Sequence, residues 1–144
     1  MSETLEDLTF DSSTEVPPLV PSGEYEVSFV RASRKDMWRQ TKLFLWFVTV
    51  TPGAFYGTHL YMVCDVTKGK HPWGPGHKFL RHWILAAGRK PERQGRMTTK
   101  VFRNKIFLAA VRVVEKDANG GTRTLAQQYS VIDHLVELVA GPHD

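Results

Sequence analysis

Residues 43–66 read LFLWFVTVTPGAFYGTHLYMVCDV, and this stretch sets the fold class of the chain. Residues 43–50 are apolar at almost every position, which is typical of a strand that is buried on both faces or that offers one face as a platform to something flat. Residues 51–57 are rich in Pro and Gly, and an apolar run resumes over residues 59–66. The pattern predicts an antiparallel β-hairpin.

A first strand is predicted upstream of this hairpin, over residues 24–29 with the sequence EYEVSF. Its strict alternation of polar and apolar residues has the two-residue period of a half-buried strand, which places Tyr25, Val27 and Phe29 in the core. Residues 31–42 are polar and basic, and they are predicted to form a link between this strand and the hairpin.

Downstream of the hairpin, residues 77–87 are the one convincing helix, because their apolar residues recur at helical spacing along one stripe. Gly88 suits the left-handed conformation of a helix C-cap. Two more strands are predicted over residues 105–115 and 123–131. The DANGG sequence at 117–121 separates them and is a strong hairpin-turn signal.

Three strands, one helix and two strands follow the order of the OB fold, a five-stranded and partly open Greek-key barrel. We therefore predict a mainly β, OB-like barrel with one helix between strands 3 and 4, formed by residues 22–139 as a single domain. A generic α+β domain is the alternative. Residues 135–139 either complete the barrel or dock a second subunit in a homo-oligomer. The acidic residues 1–21 contain several prolines and are predicted to be a disordered tail.

The charges of the chain are strongly segregated. All 19 Lys and Arg residues follow residue 30, whereas seven of the 15 acidic residues precede it, so residues 1–30 carry −7 and the remaining 114 carry +11. A basic body with aromatic residues among its cations attracts polyanions, so nucleic acid is the first partner to consider. The acidic tail either recruits a replication or recombination protein, competes with nucleic acid for the body, or only keeps the chain soluble.

A flexible nucleic-acid strand repeats a phosphate charge and a flat base, so a protein that binds it needs cations beside exposed aromatic rings. Trp38 lies between Lys35 and Arg39 and is the strongest stacking candidate, with folding back onto the barrel as the alternative. Further rings, each of which could instead belong to the core, are Phe44, Trp46 and Tyr61. The predicted phosphate contacts are Arg31, Arg34, Lys35, Arg39, Lys42, Arg103 and Lys105.

Several segments resemble the layout of small OB-fold single-stranded-DNA-binding proteins of phages and mobile elements: GEYEV at 23–27, the run 43–50 with PGAFYG at 52–57, LAAG at 85–88, and Tyr129. The resemblance covers residues 22 to about 133. It implies that the protein coats single-stranded DNA with little sequence preference during DNA replication or recombination, in the cytoplasm of a bacterial or phage-infected cell. This chain differs by placing its acidic segment first.

Catalytic and metal chemistry find little support in the sequence. The histidines lack the paired spacing of a zinc site, and Cys64 has no evident activating base, so it is expected to be a buried structural thiol. Nucleophile-elbow, Walker and HExxH motifs are absent. We therefore expect a protein that acts by binding, without turnover, metal or cofactor. A protein-interaction module and a metal-dependent nuclease are the alternatives.

Membrane insertion and export are not expected either. No apolar run approaches the roughly 18 residues that a membrane span needs, and the acidic start of the chain differs from a secretory signal.

Overall fold

The computed structural model describes residues 18–142, which form one five-stranded antiparallel sheet and a single α-helix. The predictions for residues 1–17 lie outside the described residues. The strands are β1 (Gly23–Met37), β2 (Gln40–Thr49), β3 (His59–Asp65), β4 (Ile106–Val114) and β5 (Tyr129–Ala140), and the helix is α1 (Lys78–Ala87). Short 3-10 turns lie at Gln94–Arg96, Thr99–Phe102 and Leu125–Gln127.

The strand order in the sheet is β3-β2-β1-β4-β5, with α1 between β3 and β4 in sequence. The mainly β class, the five strands and the single helix are confirmed, and this order is the one expected of an OB-like barrel. The outer strands β3 and β5 approach each other, and α1 contacts both. No backbone pairing joins β3 to β5 within residues 18–142, so the barrel is open along this seam.

A bulge divides β1 into two functional halves. Residues 23–28 pair with β4, and Val27 and Ser28 also pair with β2, whereas residues 31–37 pair with β2 alone. The register shifts between Phe29 and Arg31, which leaves Val30 as the extra residue. A bulge of this kind bends a strand and increases its twist. Beyond it, residues 31–42 form a hairpin that has no pairing with β4, and we call this hairpin the arm; Lys42 at its base is paired with Asp65 of β3.

Two predicted segments were wrong in their bounds. Residues 31–42 are not a link but the continuation of β1 and the start of β2, paired as far as Met37 and Gln40. The arm is exposed on much of its surface, so its sequence carries no alternating apolar pattern. The fifth strand begins at Tyr129, because the 3-10 turn Leu125–Gln127 precedes it, and it includes residues 135–139. That segment therefore completes the sheet.

The core lies between the inner face of the sheet and α1. Phe47, Phe102 and Phe107 form a triangle of rings with centroids 6.0–6.4 Å apart, in edge-on or tilted contact. Phe79 and Trp83 of α1 are buried against this cluster. The helix was predicted correctly, and Gly88 ends it in the left-handed conformation with its N–H bonded to the Ile84 carbonyl at 2.8 Å.

The chain is packed from Pro18 onward, four residues before the predicted boundary. The Pro18 carbonyl accepts a hydrogen bond from the Ser130 backbone at 2.9 Å. The Val20 N–H donates to the Ser130 hydroxyl at 2.6 Å, and that hydroxyl donates to the Val20 carbonyl at 2.7 Å. Residues 18–21 are therefore attached to the start of β5 rather than belonging to a free tail.

His82 attaches α1 to β5. Its Nδ1 donates to the Lys78 carbonyl at 2.6 Å, and its Nε2 accepts from the Leu135 backbone N–H at 3.0 Å. This pair of bonds requires the neutral ring, and burial lowers the pKa of His82 to about 4 from an ordinary value of 6.5. The attachment of α1 to β5 thus depends on an uncharged histidine.

We expect His82 to make stability pH-dependent. Below pH 6.5 His82 is protonated in the unfolded chain, whereas in the folded chain it stays neutral until the pH falls to about 4. Its contribution is therefore fully present above pH 6.5 and is lost as the pH falls toward 4. Between about pH 7.5 and 4.5 the free energy of unfolding should fall by about 2–3 kcal/mol more in the natural protein than in His82→Gln. Urea unfolding at both pH values measures this difference, and equal falls would contradict it.

Candidate functional site

The outer face of β1, β2 and β3 gathers most of the predicted contacts. Paired residues of an antiparallel sheet share a face, and alternate residues point to opposite faces. Leu45 and Phe47 of β2 are fully buried on the core side, so Phe44 and Trp46 lie on the outer side. Leu60 and Met62 of β3 likewise point inward, which leaves Tyr61 on the outer side. We call this surface the outer face.

A row of rings crosses the outer face. Trp46 pairs with Tyr61 on one side and with Arg31 on the other. The Tyr61 ring centroid is 5.0 Å from Trp46 and 5.3 Å from Phe44, both in edge-on contact. The Arg31 guanidinium carbon lies 4.9 Å from the centroid of Trp46, within the range of a cation–π interaction. All three rings are half-buried, so each keeps an accessible part.

A row of charges borders the rings. Lys35, Lys42 and Asp65 are directly opposite one another on β1, β2 and β3. Lys42 contacts the Asp65 carboxylate at 3.2 Å, and the hydroxyl and backbone N–H of Thr67 lower the pKa of Asp65 to about 2. Two lysines facing each other across a ladder are destabilising. Asp65 offsets one of these charges, and Lys35 remains exposed to attract an anion.

The tip of the arm holds Trp38 and Arg39 as a two-residue turn between Met37 and Gln40. Trp38 is 83% exposed, so it does not fold back onto the barrel. The Arg39 guanidinium carbon lies 4.3 Å from the centroid of the Trp38 ring. Loops between the first two strands of OB barrels are one of their ligand-binding elements, and this turn presents a large ring beside a cation at that place.

Two predicted contacts are outside the outer face. Arg34 pairs with Leu43 on the opposite side of the arm, where its guanidinium binds Asp36 at 3.0 Å and lowers the pKa of that carboxyl. Arg103 follows the 3-10 turn that packs on α1, and it is exposed there. Neither side chain joins the row of rings. Arg34 points away from it because alternate residues of β1 face opposite sides, and Arg103 lies on a different segment, after the 3-10 turn Thr99–Phe102.

Lys105 was predicted as a phosphate contact, but its side chain is buried with 1% exposure. Its ammonium group donates to the Ala86 carbonyl at 2.8 Å, near the end of α1. A cation at a helix C-terminus is favourable because the last carbonyls have no partner within the helix. Lys105 therefore stabilises the helix end and is not available to a phosphate.

Sequence reasoning missed the far end of the ring row. Tyr129, at the start of β5, lies beside Tyr61. Burial raises the pKa of Tyr61, and the neighbouring Tyr129 phenol raises it further. The guanidinium carbon of Arg123 lies 5.5 Å from the centroid of the Tyr129 ring. The row thus runs across the open seam and has an arginine at each end. Only the proximity of Arg123 to Tyr129 in sequence hinted at this pair.

Residues 18–142 bring no group of three His, Cys, Asp or Glu side chains into an arrangement that could hold a metal ion. Cys64 is buried as predicted, and burial raises the pKa of its thiol to about 11. Within the same residues no helix has the length and apolar character to span a membrane.

Arg39 has a φ of 63°, a left-handed conformation that is unfavourable for residues other than glycine. Arg39→Gly should therefore raise the free energy of unfolding by about 0.5–1 kcal/mol, measured by urea unfolding. The matched control is Gln40→Gly in the adjoining strand, which should lower it by roughly 0.5–1 kcal/mol. A loss of stability in both variants would show that the Arg39 conformation carries no strain.

Comparison with known proteins gives no relative for this chain: no family model, curated protein or solved structure matches it. The resemblance to single-stranded-DNA-binding proteins therefore stays an expectation. The candidate site is defined by the outer face itself, with its ring row, its bordering lysines and the Trp38 turn.

Proposed function

We propose that this protein binds single-stranded DNA without turnover and with little sequence preference, using the outer face of β1, β2 and β3. The observation that supports this most is the ring row, in which Trp46 and Tyr61 lie side by side with Arg31 over the indole. Such a face offers stacking surface and positive charge within the same few ångströms. We further propose, from the resemblance, that it serves DNA replication or recombination in a phage or mobile element.

The physical fit lies in the two repeating features of a nucleic-acid strand. Stacking of a base on an aromatic side chain contributes roughly 1–3 kcal/mol, and it tolerates any sequence because every base has a π face. Exposed cations along the same face neutralise phosphates and release counterions. Arg31 and Lys35 point outward from β1 on either side of Ser33, and Lys42 points outward from β2 opposite Lys35. Stacking and phosphate contacts can therefore act on one DNA strand.

A protein-interaction module remains the second candidate, and one surface favours it. Tyr56 is 64% exposed in the β2–β3 turn, and the neighbouring Phe55 packs edge-on against Tyr25 at 6.4 Å. This patch lies at the other end of β2 from the Trp38 turn and has no cation among its rings. Protein interfaces are depleted of lysine at their centres, so this patch fits a protein partner better than the outer face does.

The ring row can be tested by substitution. Trp46→Ala or Tyr61→Ala should weaken binding of an oligo-dT by about 5- to 150-fold, which corresponds to the loss of roughly 1–3 kcal/mol of stacking. Tyr56→Ala is the matched control and should leave the affinity unchanged. Fluorescence titrations at several salt concentrations would measure both the affinity and its salt dependence. Salt-independent binding, or equal losses in all three variants, would contradict the proposal.

The acidic segment before the fold bears on the same face. Residues 1–17 contain five acidic residues and no Lys or Arg. The described chain starts at Pro18, whose carbonyl is bonded to Ser130, the neighbour of Tyr129 at the edge of the ring row. Because residues 1–17 are joined to the chain at this edge, their negative charges would have a high local concentration near the cations of the outer face.

Deleting residues 1–17 should therefore tighten binding of oligo-dT at low salt, and the gain should shrink as salt screens the charges. The measurement is a pair of salt titrations, with a full-length control in which the five acidic residues are changed to their amides. The control should reproduce the deletion. Equal affinities with and without the segment at low salt would exclude competition and leave recruitment of a partner protein as its role.

A further inference from the structure

We infer that the nucleic-acid surface continues beyond the outer face onto the two loops that flank α1, and that its far end, on residues 89–96, holds phosphates without stacking bases. This inference rests on the proposed function and extends the path of the same bound strand. It is carried by three neighbouring clefts. The first contains residues of the outer face, the second shares Trp73 with the first, and the third is lined by residues adjacent in sequence to Gln94 and Gly95 of the second. Together they form one basic route from the sheet to the loop of residues 89–96.

The first cleft begins at the edge of the outer face. Val63, which pairs with Phe44 on that face, lines a cleft of about 570 Å³ together with Lys42 and Asp65. Its other wall is formed by Trp73, His77 and Lys78. A DNA strand that leaves the rings along β3 therefore passes directly into a cleft with Lys42 on one side and Lys78 on the other.

The second cleft continues from Trp73. This residue also lines a cleft of about 360 Å³ whose cations are Lys68 and Lys70. The Gln94 side chain forms two hydrogen bonds with the Trp73 backbone, each 2.8 Å long. These bonds hold the loop before α1 against the loop after it. They therefore fix the position of Gln94 relative to the first two clefts, which Trp73 lines.

The third cleft lies on the other side of Gln94. Arg93 and Arg96 flank this residue and line a cleft of about 500 Å³ together with Arg89, Lys90 and Trp83. Trp83 is only 3% exposed, and the Arg89 guanidinium carbon lies 5.2 Å from the centroid of its ring. A base has no free ring to stack on here. The cleft offers cations alone, which suits a phosphate backbone.

The charge along the route is almost entirely of one sign. Asp65 and Glu92 are the only carboxylates that line the three clefts. Among the lining cations only Lys42 forms an ion pair within residues 18–142. A scattered, solvated set of cations would be spread over the surface, whereas these follow one path that begins at the ring row. The lining cations are Lys42, Lys68, Lys70, Lys78, Arg89, Lys90, Arg93 and Arg96.

The test compares a short and a long ligand. An oligo-dT of about 5 nucleotides can occupy only the outer face, whereas one of about 20 nucleotides exceeds the span of a single OB fold and can reach the loops. The variant is Arg93→Gln with Arg96→Gln. The matched control is Arg81→Gln with Arg112→Gln, which removes the same charge from exposed arginines outside the three clefts.

The variant should bind the short oligonucleotide like the natural protein. It should bind the long one roughly tenfold more weakly or worse at about 50 mM salt. The slope of log affinity against log salt concentration should be smaller by about 1.4, because each of the two lost phosphate contacts contributes about 0.7 to that slope. Arg93→Gln alone should give about half of that slope change. An unchanged slope for the long ligand, or an equal change in the control, would overturn the inference.

The two proposals fail in different ways. If the natural protein binds neither oligonucleotide, or binds both without salt dependence, the proposed function is wrong and the extension falls with it. If Trp46→Ala weakens binding of the short ligand but the Arg93 and Arg96 variant leaves the long ligand unaffected, the outer face binds DNA and only the extension is wrong. Circular dichroism of each variant confirms that the fold is intact.

Discussion

The backbone pairing between β1 and β2 is the constraint on which the site depends. It sets Trp46 opposite Arg31 and Lys42 opposite Lys35, while Leu45 and Phe47 enter the core. A shift of one residue would exchange the two faces of the strand, burying the indole and exposing the leucine. The core and the outer face are therefore two results of one register. The bulge at Val30 adapts this register to the bend where β1 leaves β4.

Much of the fold is readable from the sequence because its strongest signals are local. The apolar run at 43–50, the breakers after it and the helical stripe before Gly88 each report burial or a turn within a few residues. The arm at 31–42 was misread because it is largely exposed and carries no burial pattern. The start of β5 was misplaced because the 3-10 turn at Leu125–Gln127 separates the hairpin-turn signal at 117–121 from the strand.

The site was partly readable for the same reason. Trp46 and Tyr61 could be chosen as candidates, but only the ladder shows that they share a face and touch. Arg34 and Lys105 look like the other cations in sequence. One faces the opposite side of the arm and the other lies under a helix end. The Arg123 and Tyr129 pair joins the site through contacts between distant segments, which periodicity does not encode.

The open seam between β3 and β5 gives the protein a mechanical property. No ladder joins these strands within residues 18–142. The Tyr61 and Tyr129 phenols interact across the seam, and His82 attaches α1 to β5 beside it. A polymer lying across the ring row would bridge the first and last parts of the wall from outside. A bound polymer would then hold β3 and β5 together, so the protein with bound polymer should unfold at a higher temperature than the free protein.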